Sequence, residues 1–232
     1  MIPLQDINPL RTRPYVTWLL IAANVVVFLF ELMLDMSGEL DGFIYSAGLV
    51  PATITGNLFS PTLLTVFSSM FLHGGWTHLL GNMLYLWIFG DNIEDRMGHG
   101  RFLIFYLLGG IAAAAAQTVI APDSPVPMVG ASGAIAAVLG AYLVEFPRAR
   151  VRSLVTLGYF IRIAQVPAVI VLGMWFVIQF FNGFLSLSAT LSGGVAYFAH
   201  IGGFVAGLLL VKLFTAGRPK PDYWDVQNLR RY

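Results

Sequence analysis

Six stretches of the chain carry apolar residues for nearly the length of a bilayer crossing: 15–35, 76–95, 101–121, 130–147, 164–184 and 196–215. A helix needs about 20 predominantly apolar residues to span roughly 30 Å of hydrocarbon, and each stretch approaches that length. The first begins at Tyr15 and ends in Glu31-Leu32-Met33-Leu34-Asp35. It lacks the small-residue cleavage site of a signal peptide and is read as a permanent span. Two shorter apolar stretches, Phe43 to Val50 and Leu63 to Leu72, fall between the first and second spans. They predict interfacial or re-entrant helices. The pattern therefore predicts an all-α polytopic membrane protein, a compact bundle of six transmembrane helices over 15–215. A short segment 1–14 precedes it and a basic tail 216–232 follows.

Composition points the same way. Apolar residues make up 57% of the 232 and charged residues 11%, with a mean hydropathy of +0.76. A soluble domain carries about 25% charged residues, so lipid must cover much of this surface. A net charge of +1 offers nothing to nucleic acid. The lack of cysteine removes disulfides, cysteine-zinc sites and thiol chemistry, and no metal or cofactor is expected. The placement of charge says more than its sum. Arg11 and Arg13 precede the first span, Arg96 and Arg101 separate the second and third, and Arg148, Arg150, Arg152 and Arg162 separate the fourth and fifth. Lys212, Arg218, Lys220, Arg230 and Arg231 end or follow the sixth, while the intervening loops hold no Lys or Arg. All 13 basic residues thus fall on one side, which the positive-inside rule makes cytoplasmic, with both termini there.

Polar side chains inside spans are costly and mark function by default. His78 and Asn82 lie in the second span, Ser132 in the fourth and His200 in the sixth. These three spans all start on the outer side, and His78, Ser132 and His200 sit two to four residues past the starts. At 1.5 Å per residue they share a layer to within roughly 3–6 Å. Asn82 is one turn deeper than His78, on the same face. Ser132, Ala136 and Gly140 form a small-residue stripe on the fourth span, and Ala199, Gly203 and Gly207 another on the sixth. Such stripes let membrane helices pack backbone to backbone, and packing these two brings Ser132 towards His200. In Gly130-Ala131-Ser132-Gly133 the serine opens a helix, where backbone N–H groups lack intrahelical acceptors and suit a developing oxyanion. A serine nucleophile needs a base. His99 lies at the wrong end, and no carboxylate shares the layer: Glu145 and Asp91 are near the cytoplasmic ends and Asp123 is in an outer loop. The reading is a Ser132–His200 dyad, with His78, Asn82 and the Ser132 N–H as oxyanion donors.

The segments His73-Gly74-Gly75-Trp76-Thr77-His78-Leu79-Leu80-Gly81-Asn82-Met83, Gly130-Ala131-Ser132-Gly133 and Ala199-His200-Ile201-Gly202-Gly203 together resemble the rhomboid intramembrane serine proteases. The resemblance implies a rhomboid-like six-helix core, a Ser132–His200 dyad, and an oxyanion site at His78, Asn82 and the Ser132 backbone. It also implies cleavage of single-span membrane proteins near the outer face of the cell membrane, the site opening to the extracytoplasmic side. Gly130, Ala131, Gly133, His73 and Trp175 are the residues expected to meet substrate. Two positions depart from the pattern. Leu64-Thr65 stands where many rhomboids carry Trp-Arg, and Ala136 stands where some carry a tyrosine stacked on the histidine, so the His200 ring must be held in another way.

Other classes fit less well. A channel or transporter would continue its polar lining across the bilayer, and the polar layer here is shallow, with no inverted repeat. A non-catalytic membrane chaperone could share the scaffold; on paper only Ser132 together with His200 separates it from an enzyme. The fifth span, with Trp175, Phe176, Phe180 and Phe181, is a candidate lateral gate for substrate helices. The charge-free loop 185–195, with Ser186, Ser188, Ser192, Gly193 and Gly194, has the composition of a mobile cap.

Overall fold

A computed structural model describes residues 1–56, 61–157, 160–187 and 195–218. The cap residues Ser188, Ser192, Gly193 and Gly194 and the tail beyond Arg218 lie outside the described residues.

The molecule is mostly helical. Four described helices are long and apolar enough to cross a membrane: α1 (Tyr15–Ser37), α7 (His99–Ile120), α9 (Ala168–Ser186) and α10 (Tyr197–Thr215). The chain after α1 folds into short helices, α2 (Leu40–Ala47), α3 (Pro51–Gly56) and α4 (Thr65–Ser68), with 3-10 turns on either side of α4. Helices too short to span were expected from the apolar stretches Phe43 to Val50 and Leu63 to Leu72. A further helical run follows: α5 (Trp76–Tyr85), a π-helical turn (Leu86–Gly90) and α6 (Asp91–Met97). Gly90 in that turn backs onto Thr17 of α1, which leaves little room for a side chain.

At the centre is α8 (Ser132–Glu145), buried along nearly its whole length. Its 14 residues span only about 21 Å, well short of a bilayer core. The stripe expected between α8 and α10 is present: a Cβ on Gly203 would overlap the Gly133 carbonyl oxygen, one on Gly207 that of Ala137, and one on Gly140 that of Phe204. On the other flank of α8, Gly109 of α7 backs onto Ala137, and Gly202 of α10 backs onto Ala116 of α7. Small residues thus bring three helices within backbone contact.

The all-α expectation needs correction. Strands β1 (Ile2–Asp6), β2 (Arg150–Leu157) and β3 (Phe160–Pro167) form an antiparallel sheet in the order β1-β2-β3. Arg150 pairs with Pro167 at the foot of the β2–β3 hairpin, and Ile2 pairs with Leu154. The residues explain it. Val151 and Ser153 are buried while Arg150 and Arg152 are exposed, the period-two alternation of a half-buried strand. Pro167 ends β3, and α9 begins at Ala168, four residues later than the apolar run suggested.

The sheet end of the bundle is braced by carboxylates. Glu94 accepts from the Val16 and Thr17 backbone N–H groups and the Thr17 hydroxyl, capping α1. Glu145 pairs with Arg96 and Lys212. Asp6 of β1 accepts from the Tyr142 hydroxyl of α8 at 2.9 Å and from Asn8 Nδ2 at 2.8 Å. Burial, reinforced by the Asp91 charge, pushes the Asp6 carboxyl from its ordinary 3.8 up to about 8, against those two hydrogen bonds. The unfolded chain gives up this proton near pH 4 and the folded chain holds it to about pH 8, so the contribution to stability is full at low pH and lost as pH rises through 8. Stability should fall by roughly 2–3 kcal/mol between pH 6 and 8, and Asp6→Asn should remove that slope. Thermal unfolding in detergent across this pH range checks it.

Candidate active site

The approach to α8 prepares its first residue. Gly130 takes φ +123, a conformation that glycine reaches without strain, and its N–H donates to the Ser69 carbonyl at 2.8 Å. A Cβ at Gly130 would also stand 2.7 Å from His78 Cε1 and Nε2 and 3.6 Å from Asn82 Nδ2. The missing side chain is thus what lets two side chains of α5 close on this turn. Ala131 is fully buried, and Ser132 follows as the first helical residue. The N–H groups of that first turn have no intrahelical acceptor.

His200, in the first turn of α10 and 9% exposed, faces Ser132. Its Nε2 lies 2.7 Å from Ser132 Oγ. Its other nitrogen, Nδ1, lies 2.8 Å from the Oε1 of Gln179 on α9. The Trp175 ring, one turn before Gln179, lies 5.7 Å from the imidazole at a 37° tilt. Ala136, where some rhomboids carry the stacked tyrosine, is fully buried beside Gly203. The ring is held from α9 instead. The entry of α10 is fixed by Gln117 of α7, whose Oε1 accepts from the Phe198 and Ala199 N–H groups at 3.1 and 3.3 Å.

On α5, His78 Nδ1 accepts from the Gly74 N–H at 3.3 Å, which places its proton on Nε2, the nitrogen nearest Gly130. Asn82 Nδ2 is buried without a protein partner. Two donors therefore border the space beside Ser132. His73 stands behind them. It is buried, its N–H donates to both Glu31 carboxylate oxygens at 3.1 Å, and its ring meets His78 edge-on at 5.1 Å. Burial, with a smaller contribution from His78, pushes its imidazole down to about 4, so it is neutral. Its place is as a support for His78, off the cavity wall.

A cavity of about 1150 Å³ opens over this group, with His78, Asn82, Gln117, Ser132, Trp175 and His200 in its wall. Gly130 and Gly133 border a second cavity of about 40 Å³ behind Ser132, and Ala131 lies beneath the surface. His99 is at the far end, against Glu94. Among the residues named from sequence, the structure thus brings Ser132, His200, His78, Asn82 and Trp175 to one cavity. Gln179, Gln117 and Glu31 were passed over. The signal available was a polar group in the middle or last turn of an apolar run.

The comparisons with known proteins agree with this picture. A family model described as the Rhomboid domain matches residues 60–217. Rhomboid protease GluP of Bacillus subtilis (strain 168) is 37% identical over 136 residues, 59% of this chain and 23% of that protein. Rhomboid-like protein 11, chloroplastic, of Arabidopsis thaliana is 29% identical over 156 residues, 64% of this chain and 51% of that protein. The human presenilin-associated rhomboid-like protein, mitochondrial, is 33% identical over 133 residues, 56% and 33% of the two chains. The chain spans between about a quarter and a half of the length of these relatives. With a domain match over more than half its length and long apolar helices to carry it, the chain is a membrane protein and belongs to the rhomboid family.

Proposed function

We propose that this protein is an intramembrane serine endopeptidase that hydrolyses peptide bonds of single-span transmembrane substrates near the outer face of the cell membrane. The observation that carries the reading is the 2.7 Å approach of His200 Nε2 to Ser132 Oγ at the head of α8. Ser132 Oγ gives its proton to His200 Nε2 and attacks the scissile carbonyl carbon. The carbonyl oxygen becomes an oxyanion, met by Asn82 Nδ2, His78 Nε2 and the Ser132 N–H. His200 returns the proton to the leaving nitrogen as the C–N bond breaks, leaving an acyl-serine. Water, deprotonated by His200, releases the acid and restores Ser132.

The topology follows the same reading. The helical run 76–97 and the short α8 complete six spans with the four long helices, the basic loops and both termini lie in the cytoplasm, and the site opens outward. The protease unit covers 15–215, with 1–14 and 216–232 as cytoplasmic flanks. Trp175 forms part of the wall along which substrate lies. The relative named as a protease supports this assignment.

Purified protein in liposomes, given reporter transmembrane helices with a helix-destabilised outer segment, tests it. Cleavage mapped by mass near the outer edge of the reporter, and lost in Ser132→Ala, is the expected result. Cleavage that survives Ser132→Ala overturns the assignment of the nucleophile. No cleavage by wild type across several reporters overturns the enzyme reading in favour of a helix-binding scaffold.

A further inference from the structure

We propose that Gln179 is a positioning residue that fixes the tautomer of His200, making a Ser132–His200–Gln179 relay whose third member is an uncharged amide on α9. The inference rests on the reading of Ser132 and His200 as the hydrolytic pair.

The chemistry follows from what each atom can do. An amide oxygen only accepts. Gln179 Oε1, 2.8 Å from His200 Nδ1, therefore requires a proton on Nδ1. A neutral imidazole carries one N–H, so Nε2 is left with its lone pair, 2.7 Å from Ser132 Oγ. That is the tautomer a general base needs, since the opposite one would place an N–H against the serine hydroxyl and leave nothing to take its proton. The residues around the ring leave this task to Gln179. Among the described residues, the partners of the two ring nitrogens are Ser132 at Nε2 and Gln179 at Nδ1, while His78 faces Gly130 from α5. Gln179 is itself a costly group in this position: it is buried on a helix whose other face carries exposed Met174, Val177, Ile178 and Phe181. Val171, Trp175, Gln179 and Gly183 recur every four residues along the face that α9 turns inward. Trp175 and Gln179 thus approach the imidazole from one helix, one beside the ring and one at Nδ1. An amide differs from a carboxylate here in a specific way. It orients the ring and sets its tautomer without placing a buried negative charge in a lipid-surrounded bundle.

Two substitutions of nearly unchanged volume separate this role from packing. Gln179→Met keeps the shape and removes the acceptor; Gln179→Glu keeps both shape and acceptor. Reporter cleavage by Gln179→Met should show kcat lowered about tenfold or more with KM within twofold of wild type, and Gln179→Glu should recover most of the rate. Nitrogen-15 NMR of histidine-labelled protein in micelles, with His200 assigned by loss of its signals in His200→Ala, gives a readout that needs no turnover. Wild type should show a protonated Nδ1 and an unprotonated Nε2, and Gln179→Met should show a mixture or the reverse. A wild-type His200 with its proton on Nε2, or a Gln179→Met protein with unchanged tautomer and kcat, overturns the proposal. Failure of the hydrolytic reading is recorded separately, by wild-type inactivity or by cleavage that persists in Ser132→Ala.

Discussion

His200→Ala should lower kcat by about 10⁴–10⁶, the range seen when a serine hydrolase loses its base. The reason lies in the count of acceptors near Ser132 Oγ. His200 Nε2 is the hydrogen-bond partner the structure gives it. His78 presents its protonated nitrogen towards Gly130, His73 is buried behind His78 with its Nδ1 at the Phe71 carbonyl, and His99 is at the other end of the bundle against Glu94. Without His200 the serine proton has nowhere to go. Because the two side chains act as a unit, the Ser132→Ala/His200→Ala double variant should be no slower than either single one. His99→Ala should keep its rate. Single-turnover cleavage of one reporter, with stability measured in parallel, checks the set. Additive losses in the double variant would mean that the two residues act in different steps.

The second large effect comes from a residue with no chemistry. Gly203→Leu should yield no recoverable folded protein, and Gly203→Ala should fold with a lowered melting temperature and cleave about 10²-fold more slowly. Any Cβ at this position overlaps the Gly133 carbonyl oxygen, and backbone cannot rotate aside as a side chain can. The helices must separate, and the carbonyl that is pushed belongs to the residue after Ser132. A displacement of about 1 Å there is enough to break a 2.7 Å hydrogen bond and cost 10²-fold in rate. Gly173 of α9 has no atom within 4 Å of its missing Cβ. Gly173→Ala should therefore be neutral or slightly stabilising, since glycine in a helix interior costs roughly 0.5–1 kcal/mol against alanine. Thermal unfolding and cleavage of the three variants side by side would show whether packing at Gly203 holds the site. Equal behaviour of Gly203→Ala and Gly173→Ala would refute it.

The contact between α8 and α10 was legible in sequence because glycine is informative at both ends. Gly203 and Gly207 are apolar enough to sit in a span and too small to be there for their side chains. The polar layer was legible because histidine, asparagine and serine stand out against leucine and alanine. Gln179 was lost for a matter of context. It lies within Trp175-Phe176-Val177-Ile178-Gln179-Phe180-Phe181, where the aromatic neighbours dominate the pattern and invite a reading as lipid-facing bulk. Glu31 was lost for a related reason, since it fell where the first span was expected to end, whereas it holds the His73 backbone. The sheet escaped notice because Arg148, Arg150, Arg152 and Arg162 had already been given a role in orienting the bundle. A charge that sets topology can also be the outward-facing member of a strand, and counting it once hid the alternation with Val151 and Ser153.

The pairing of Ile2 with Leu154 also constrains the order of events during synthesis. β1 leaves the ribosome well before β2, which follows only after α1, α5 to α8 and the intervening loops have been made. Until then the strand edge of β1 lacks β2, and the Asp6 carboxyl has its neighbour Asn8 but not the Tyr142 hydroxyl, which belongs to a late helix. Closing a loop of this length costs entropy that local contacts do not repay, so the sheet is expected to assemble only after α1 and α5 to α8 are in place. A fusion partner or affinity tag joined directly to Met1 would act on this late step and not on the insertion of the helices. Tags for the experiments above are better carried beyond Arg218.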